Sequence, residues 1–312
     1  VRAFSIPFLL LVWGQVGHSV TVTVFYDENG NGRRDPFERV TLPQVTVEAA
    51  GLSARTSVGT GSALLNDLPG GTQEFTIKPD SVPPFFVVGP PTRVDPAESQ
   101  EVALPLTLPI GSNRANTYLA FGDSISAGEG SRDGKGFSLK LEAKLREYFG
   151  EAHVVADGVS GLGTDRGVRR LRESLARTQP AYTLVLLGTN DWDDSQDSKV
   201  QATAAVERLR TIVRRIRGVK SLPFIASVLP PNVGFDWRVP PERGSFVRLL
   251  NEMIEPMAKE EGAVFIDLYR AFEARPDPQT LFKDHLHPND RGYDLIAETM
   301  FQAIVRPETV AP

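Results

Sequence analysis

In Phe121-Gly122-Asp123-Ser124-Ile125-Ser126, glycines at 122 and 128 let the chain turn closely around Ser124. That serine offers a ligand both its hydroxyl and its own backbone N–H. A lone Gly-Asp-Ser is as readily a serine capping the next helix, but three further stretches change that balance. Gly188-Thr189-Asn190-Asp191 offers an amide side chain, and Gly158-Val159-Ser160-Gly161 puts a bare N–H in a turn. Asp284-His285-Leu286-His287-Pro288-Asn289 spaces a carboxylate three residues before an imidazole. That spacing lets a loop carboxylate reach Nδ1 while Nε2 faces outward, the arrangement a general base needs. Of the four histidines in the chain, His18 is expected to leave with an export signal.

These residues act together only if the fold gathers them, and the hydrophobic pattern predicts a fold that does. After Thr117, compact apolar runs read as strands: Tyr118 to Phe121, His153 to Ala156, Tyr182 to Leu187, Phe224 to Leu229 and Val264 to Leu268. Helical faces at three and four spacing lie between and after them. They are Phe137, Leu141 and Leu145; Val206, Leu209, Val213 and Ile216; Phe246, Leu250, Ile254 and Met257; and Tyr293, Ile296, Met300 and Ile304. Alternating strand and helix implies a parallel sheet covered on both faces, a three-layer α/β/α sandwich. Ligands bind such sheets at the carboxyl ends of the strands, where Ser124, Gly161 and Asn190 fall.

From Val20 to Leu108 the period is two instead, as in Val22 and Val24, Val45 and Val47, Phe75 and Ile77, Val102 and Leu104. With Gly and Pro clusters between the runs, this predicts a small antiparallel β-sandwich. Arg2, the apolar run Ile6 to Trp13 and Gly17-His18-Ser19 have the layout of a signal peptide cut before Val20. The expected division is therefore a signal peptide over 1–19, a β-sandwich over 20–108, a linker over 109–116 and an α/β domain over 117–308. A secreted or cell-surface location follows from the signal.

A net charge of -5 gives no basic face for nucleic acid, and no run reaches the length of a membrane-spanning helix. Zero cysteines exclude disulfides, thiolate catalysis and zinc-cysteine sites. Gly161-x-Gly163-x-x-x-Gly167 is one residue too long for a dinucleotide loop. Asp284, His285 and His287 lack a further ligand cluster to complete a metal site. The acidic run Asp191, Asp193, Asp194 and Asp197 reads as a solvated loop, with a role at a substrate entrance as the alternative. Arg208, Arg210, Arg214, Arg215 and Arg217 read as the solvent face of a helix.

Phe-Gly-Asp-Ser at 121–124, the glycine at 161, Gly-Thr-Asn-Asp at 188–191 and Asp-x-x-His-Pro at 284–288 resemble the GDSL/SGNH hydrolases. The four blocks stand in that family's order, and the resemblance covers residues 115 to 305. One position departs: Ala156 stands where many members carry Asn. The resemblance implies an SGNH (flavodoxin-like) fold and ester hydrolysis. Ser124 would then be the nucleophile, His287 the base and Asp284 its orienting carboxylate. The Ser124 and Gly161 N–H groups and the Asn190 side chain would hold the oxyanion, with no cofactor required. The partner expected is a small-molecule ester or an acylated polysaccharide, the latter by analogy with exported accessory domains. A catalytically inactive surface or carbohydrate-binding protein is the alternative.

Asp27 to Glu38 fills a twelve-position calcium loop. Side-chain oxygens fall at Asp27, Asn29, Asn31, Asp35 and Glu38, a backbone carbonyl at Arg33, and glycine at 32. Val22 to Phe25 and Pro36 argue against the flanking helices of an EF-hand. With Val45-Thr46-Val47 after it, the stretch resembles the calcium-binding B-type repeats of bacterial surface adhesins. A structural Ca2+ is therefore expected in the β half, apart from catalysis, with an ion-free hairpin as the alternative.

Overall fold

The computed structural model describes residues 17–232 and 239–306, so most of the expected signal peptide lies outside the described residues. Eight strands open the described chain: β1 (His18–Tyr26), β2 (Thr46–Ala49), β3 (Leu52–Arg55), β4 (Ser62–Leu68), β5 (Gln73–Ile77), β6 (Val87–Val88), β7 (Thr92–Val94) and β8 (Glu101–Thr107). They form two four-stranded sheets, ordered β4-β1-β8-β6 and β3-β2-β5-β7. Period-two patterning explains them: Val20, Val22 and Val24 are buried while Ser19 and Thr21 face water. Pairing is antiparallel except between β1 and β8, which run parallel with Thr21 opposite Glu101. A parallel neighbour needs a long crossover, and the six intervening strands supply it. β1 already pairs at His18, opposite Leu68, two residues before the expected cleavage point.

The second half alternates as its sequence predicts. It runs β9 (Arg114–Gly122), α1 (Ser124–Ala127), α2 (Gly136–Phe149), β10 (His153–Gly158), α3 (Thr164–Thr178), β11 (Pro180–Leu186), α4 (Ser198–Gly218), β12 (Leu222–Ala226), α5 (Pro241–Glu260), β13 (Val264–Ile266), α6 (Leu268–Glu273) and α7 (Asp290–Val305). Its five strands pair in parallel, in the order β10-β9-β11-β12-β13. Successive residues of a strand point to opposite faces. Tyr118 and Ala120 therefore join one apolar cluster with α2 and α7, while Leu119 and Phe121 join the other with α3, α4 and α5.

One boundary and the separation of the two cores differ from the sequence expectation. β9 opens at Arg114, inside the expected linker, because the Arg114 N–H donates to Gln179 O at 2.7 Å and draws that segment into the sheet. The cores of the two halves are also continuous. Val20, Leu42, Phe75 and Leu104 of the β half belong to the same buried cluster as Tyr118, Leu141 and Tyr293. Phe85 meets Phe224 edge to face at 5.6 Å, and the Tyr148 hydroxyl donates to Pro43 O.

Candidate active site

Gly122 ends β9 opposite both Gly158 of β10 and Leu186 of β11, so three carboxyl strand ends lie in one row. A Cβ on Gly122 would collide with Leu186 O and Ser126 Oγ, and one on Gly158 with the backbone at Ala127 and Asp123. Glycine at both positions is what lets α1 start against the sheet. Asp123 caps that helix, accepting the Ile125 N–H at 2.9 Å, and Gly128 closes it at φ 85°. Ser124 is thus the first helical residue, and only 4% exposed.

The loop before α7 reaches Ser124 from the other end of the chain. His287 Nε2 lies 3.0 Å from Ser124 Oγ, and His287 Nδ1 lies 2.9 Å from Asp284 Oδ2. Asp284 Oδ1 accepts the Leu286 and His287 N–H groups, folding the Asp-x-x-His turn onto itself. Burial pushes the Asp284 carboxyl up, but the His287 N–H and ring together with the Leu286 N–H outweigh it, and the net shift is downward. Asn232 holds this loop through contacts to Asp284 O and His285 O. His285 gives it that carbonyl, while Asp284 and His287 face each other.

Gly161 sits in the turn between β10 and α3 at φ 68°, with the Arg166 side chain donating to its carbonyl. The Asn190 amide rests 3.4 Å from Asp123 Oδ2 and 3.3 Å from Leu162 O. Its neighbour Asp191 accepts the Thr164 N–H at 2.9 Å, tying the Gly188–Asp191 turn to the start of α3. A polarisable hydroxyl, an oriented imidazole and an amide side chain thus gather at the strand ends.

Residues 120–295 match the GDSL-like Lipase/Acylhydrolase family, more than half of the chain. The chain belongs to that family. It is 27% identical over 187 residues to the Escherichia coli K12 thioesterase 1/protease 1/lysophospholipase L1, covering 60% of this chain and 82% of that protein. It is 26% identical over 199 residues to an arylesterase of Vibrio mimicus, covering 64% and 93%. The fold is similar to that of Axe2, an acetylxylan esterase from Geobacillus stearothermophilus, with a TM-score of 0.51 at 21% identity over 63% of this chain and 96% of that one. This GDSL-family protein is a carboxylic ester hydrolase.

Several residues around the site take a state or a role that the sequence does not announce. Asp123 is fully buried, and burial, outweighing the Ile125 N–H and the charge of His287, pushes its carboxyl up to about 7. Glu129 Oε2 stands 3.4 Å from His287 Nε2. Asp191, expected in a solvated loop, has a side chain only 5% exposed; burial raises its carboxyl more than Thr164 and Arg208 lower it. Packing against α3 and α4 removes it from water, unlike exposed Asp194 and Asp197. The arginines of α4 likewise do more than face solvent: Arg210 and Arg214 pair with Glu261, beyond the end of α5. A cleft of about 670 Å³ opens beside Asn190, lined by Trp192, Asp193, Gln196, Gln201 and Arg208 among others.

In the Asp27–Glu38 loop, Gly32 takes φ 75°, the sharp turn that position six requires. Asp27 and Glu38 are 3% and 2% exposed. Asp27 accepts the Gly30, Asn31 and Gly32 N–H groups, and Glu38 accepts those of Glu28 and Asp35. The Asn29 and Asn31 amides both lie 2.8 Å from Asp35 Oδ2. Among the described residues no three His, Asp or Glu side chains converge as a ligand set. The donors here are mixed: carboxylates, two amides and the Arg33 carbonyl. Their hard oxygens suit calcium once each amide turns its oxygen inward.

Proposed function

We propose that this ester hydrolase is an exported serine esterase working through a Ser124-His287-Asp284 triad and an acyl-enzyme. The observation that supports it is the pair of contacts to one imidazole, 3.0 Å to Ser124 Oγ and 2.9 Å to Asp284 Oδ2. His287 takes the Ser124 proton as Oγ attacks the ester carbonyl, and Asp284 stabilises the imidazolium. The oxyanion is held by the Ser124 and Gly161 N–H groups and the Asn190 amide, each such donor worth roughly 10²- to 10³-fold. His287 then protonates the departing alcohol, leaving the acyl group on Ser124. Water, deprotonated by the same imidazole, releases the acid.

The substrate class proposed is an acyl group, acetyl included, on a polysaccharide or a small alcohol. The cleft beside Asn190 supports it, because Trp192 offers an aromatic wall among polar side chains. Export rests on the N-terminal pattern alone. The β half, over residues 20–108, holds a structural calcium on Asp27, Asn29, Asn31, Arg33, Asp35 and Glu38. Buried Asp27 and Glu38 and the sharp turn at Gly32 support that assignment.

Purified protein and its Ser124→Ala variant, assayed on p-nitrophenyl esters of increasing acyl length and on acetylated xylan, test the reading. Turnover of short esters that vanishes in the variant, with an unchanged circular dichroism spectrum, is expected. Equal turnover in both proteins refutes the mechanism. Glycan binding without hydrolysis in either would favour the inactive carbohydrate-binding alternative.

A further inference from the structure

His287 Nε2 faces two oxygens, Ser124 Oγ at 3.0 Å and Glu129 Oε2 at 3.4 Å. The second belongs to none of the four sequence blocks, and its placement is built into the fold. The Glu129 N–H donates to Ser124 O at 3.0 Å, and its carbonyl accepts the Tyr293 hydroxyl at 2.6 Å. Gly130, at φ 97°, lies so close to His287 and Pro288 that a Cβ there would strike Pro288 O. The backbone that carries the carboxylate is therefore fixed on both sides against the nucleophile and the base.

In the proposed reaction the departing alcohol oxygen must come within about 3 Å of Nε2 to receive its proton. Whatever its direction, it then lies no more than about 6.5 Å from Glu129 Oε2. Sharing Nε2 with the departing oxygen, the carboxylate borders the alcohol part of the ester. We propose that Glu129 is a specificity-determining residue, favouring esters whose alcohol carries positive charge and disfavouring those that carry negative charge. The inference rests on the roles given above to Ser124 and His287.

A unit charge on the alcohol, when seated about 6 Å from the carboxylate, changes the rate by roughly threefold at the dielectric of water and a hundredfold at an effective dielectric of 20. Glu129, with its side chain 44% exposed, falls between these limits, so about a tenfold preference is expected. Asp284 keeps its charge on the far side of the ring and leaves a smaller residual preference.

Three acetate esters of similar shape provide the test: acetylcholine, neutral 3,3-dimethylbutyl acetate and anionic 2-sulfoethyl acetate. Their kcat/KM values are compared in the wild type, in Glu129→Gln and in Glu98→Gln, which removes an exposed charge from the β half. In the wild type the choline ester should lead the neutral ester, and the neutral ester the sulfonate, by about tenfold at each step. Glu129→Gln should compress both ratios to about twofold, as should high salt in the wild type; Glu98→Gln should leave them in place. Equal ratios in the wild type and Glu129→Gln, with hydrolysis still abolished by Ser124→Ala, overturn the inference and leave the esterase intact. Hydrolysis indifferent to Ser124→Ala removes the esterase mechanism, and the inference with it.

Discussion

Replacing Asp123 by Asn separates the stability of the site from its chemistry. Asp123 is fully buried and its carboxyl is raised from 3.8 to about 7, chiefly by burial. The folded protein therefore holds a proton that the unfolded chain releases between about pH 4 and pH 7. The stability linked to that proton is complete below pH 4 and is lost as pH rises through 7. About three pKa units at 1.4 kcal/mol each give a loss of roughly 4 kcal/mol. Asparagine keeps the shape and the acceptor for the Ile125 N–H but does not ionise. At about 2 °C per kcal/mol for a chain of this size, the wild type should lose roughly 8 °C more than Asp123→Asn between pH 4 and pH 8. Both proteins share every other titrating group, so the difference between their curves isolates this one. Calorimetric melting across that range is the assay, and parallel curves would refute the argument. Activity should move the other way. The amide introduced by Asp123→Asn would face the Asn190 amide, donor against donor, where Asp123 now accepts. The oxyanion donor then loses its seat, and kcat should fall by about tenfold to a hundredfold.

Asn190→Ala should lower kcat by about 10²- to 10³-fold with KM moved far less, because its amide is needed when charge develops on the oxyanion. Steady-state kinetics that show raised KM with kcat unchanged would assign it to substrate binding instead. Chelation with EGTA should lower the melting temperature, by about 5 °C if calcium stood at a hundred times its Kd, and leave esterase turnover unchanged. Because the two halves share one apolar cluster, a single transition should shift as a whole; an unmoved transition would mark the Asp27–Glu38 loop as ion-free.

Strands whose two faces are both filled are legible because they read as short apolar runs, and β11, buried along its whole length, is the plainest case. α3 is not legible. Its buried face is Gly167, Leu171, Ser174, Leu175 and Thr178, so two leucines carry an apolar stripe among many arginines. The four motif blocks are visible because glycine, serine and amide stand at fixed places beside strand ends, and the imidazole in the loop just before α7. Asp191 misleads for the opposite reason: its neighbours Asp193 and Asp194 are acidic too, and only packing separates the buried carboxylate from the solvated ones. Glu129 has no pattern at all. Its meaning depends on a loop some 160 residues away in the chain folding onto it, as the Tyr293 hydroxyl bond across 164 positions makes plain.

The β half and the site are joined along one strand. The Asn116 amide donates to Glu28 Oε1 at 3.1 Å, which places the Asp27–Glu38 loop against the amino end of β9, while Ser124 follows the carboxyl end. Six residues of strand from Asn116 to Gly122 span roughly 20 Å, more than twice the ~8 Å screening length in physiological salt. Even at an effective dielectric of 20, a unit charge gained or lost in the loop is worth less than about 1 kcal/mol at that distance, so it reaches His287 only weakly. What does travel that distance is packing: Tyr118 stacks on Tyr182 at 4.5 Å, Tyr182 packs on Phe224 and Phe224 on Phe85 of the β half. That aromatic row lies four residues, about 13 Å, below Gly122 on β9. The β half thus braces the sheet from the end opposite the chemistry, and whatever stabilises the loop should raise the melting temperature of the hydrolase without touching its pH profile.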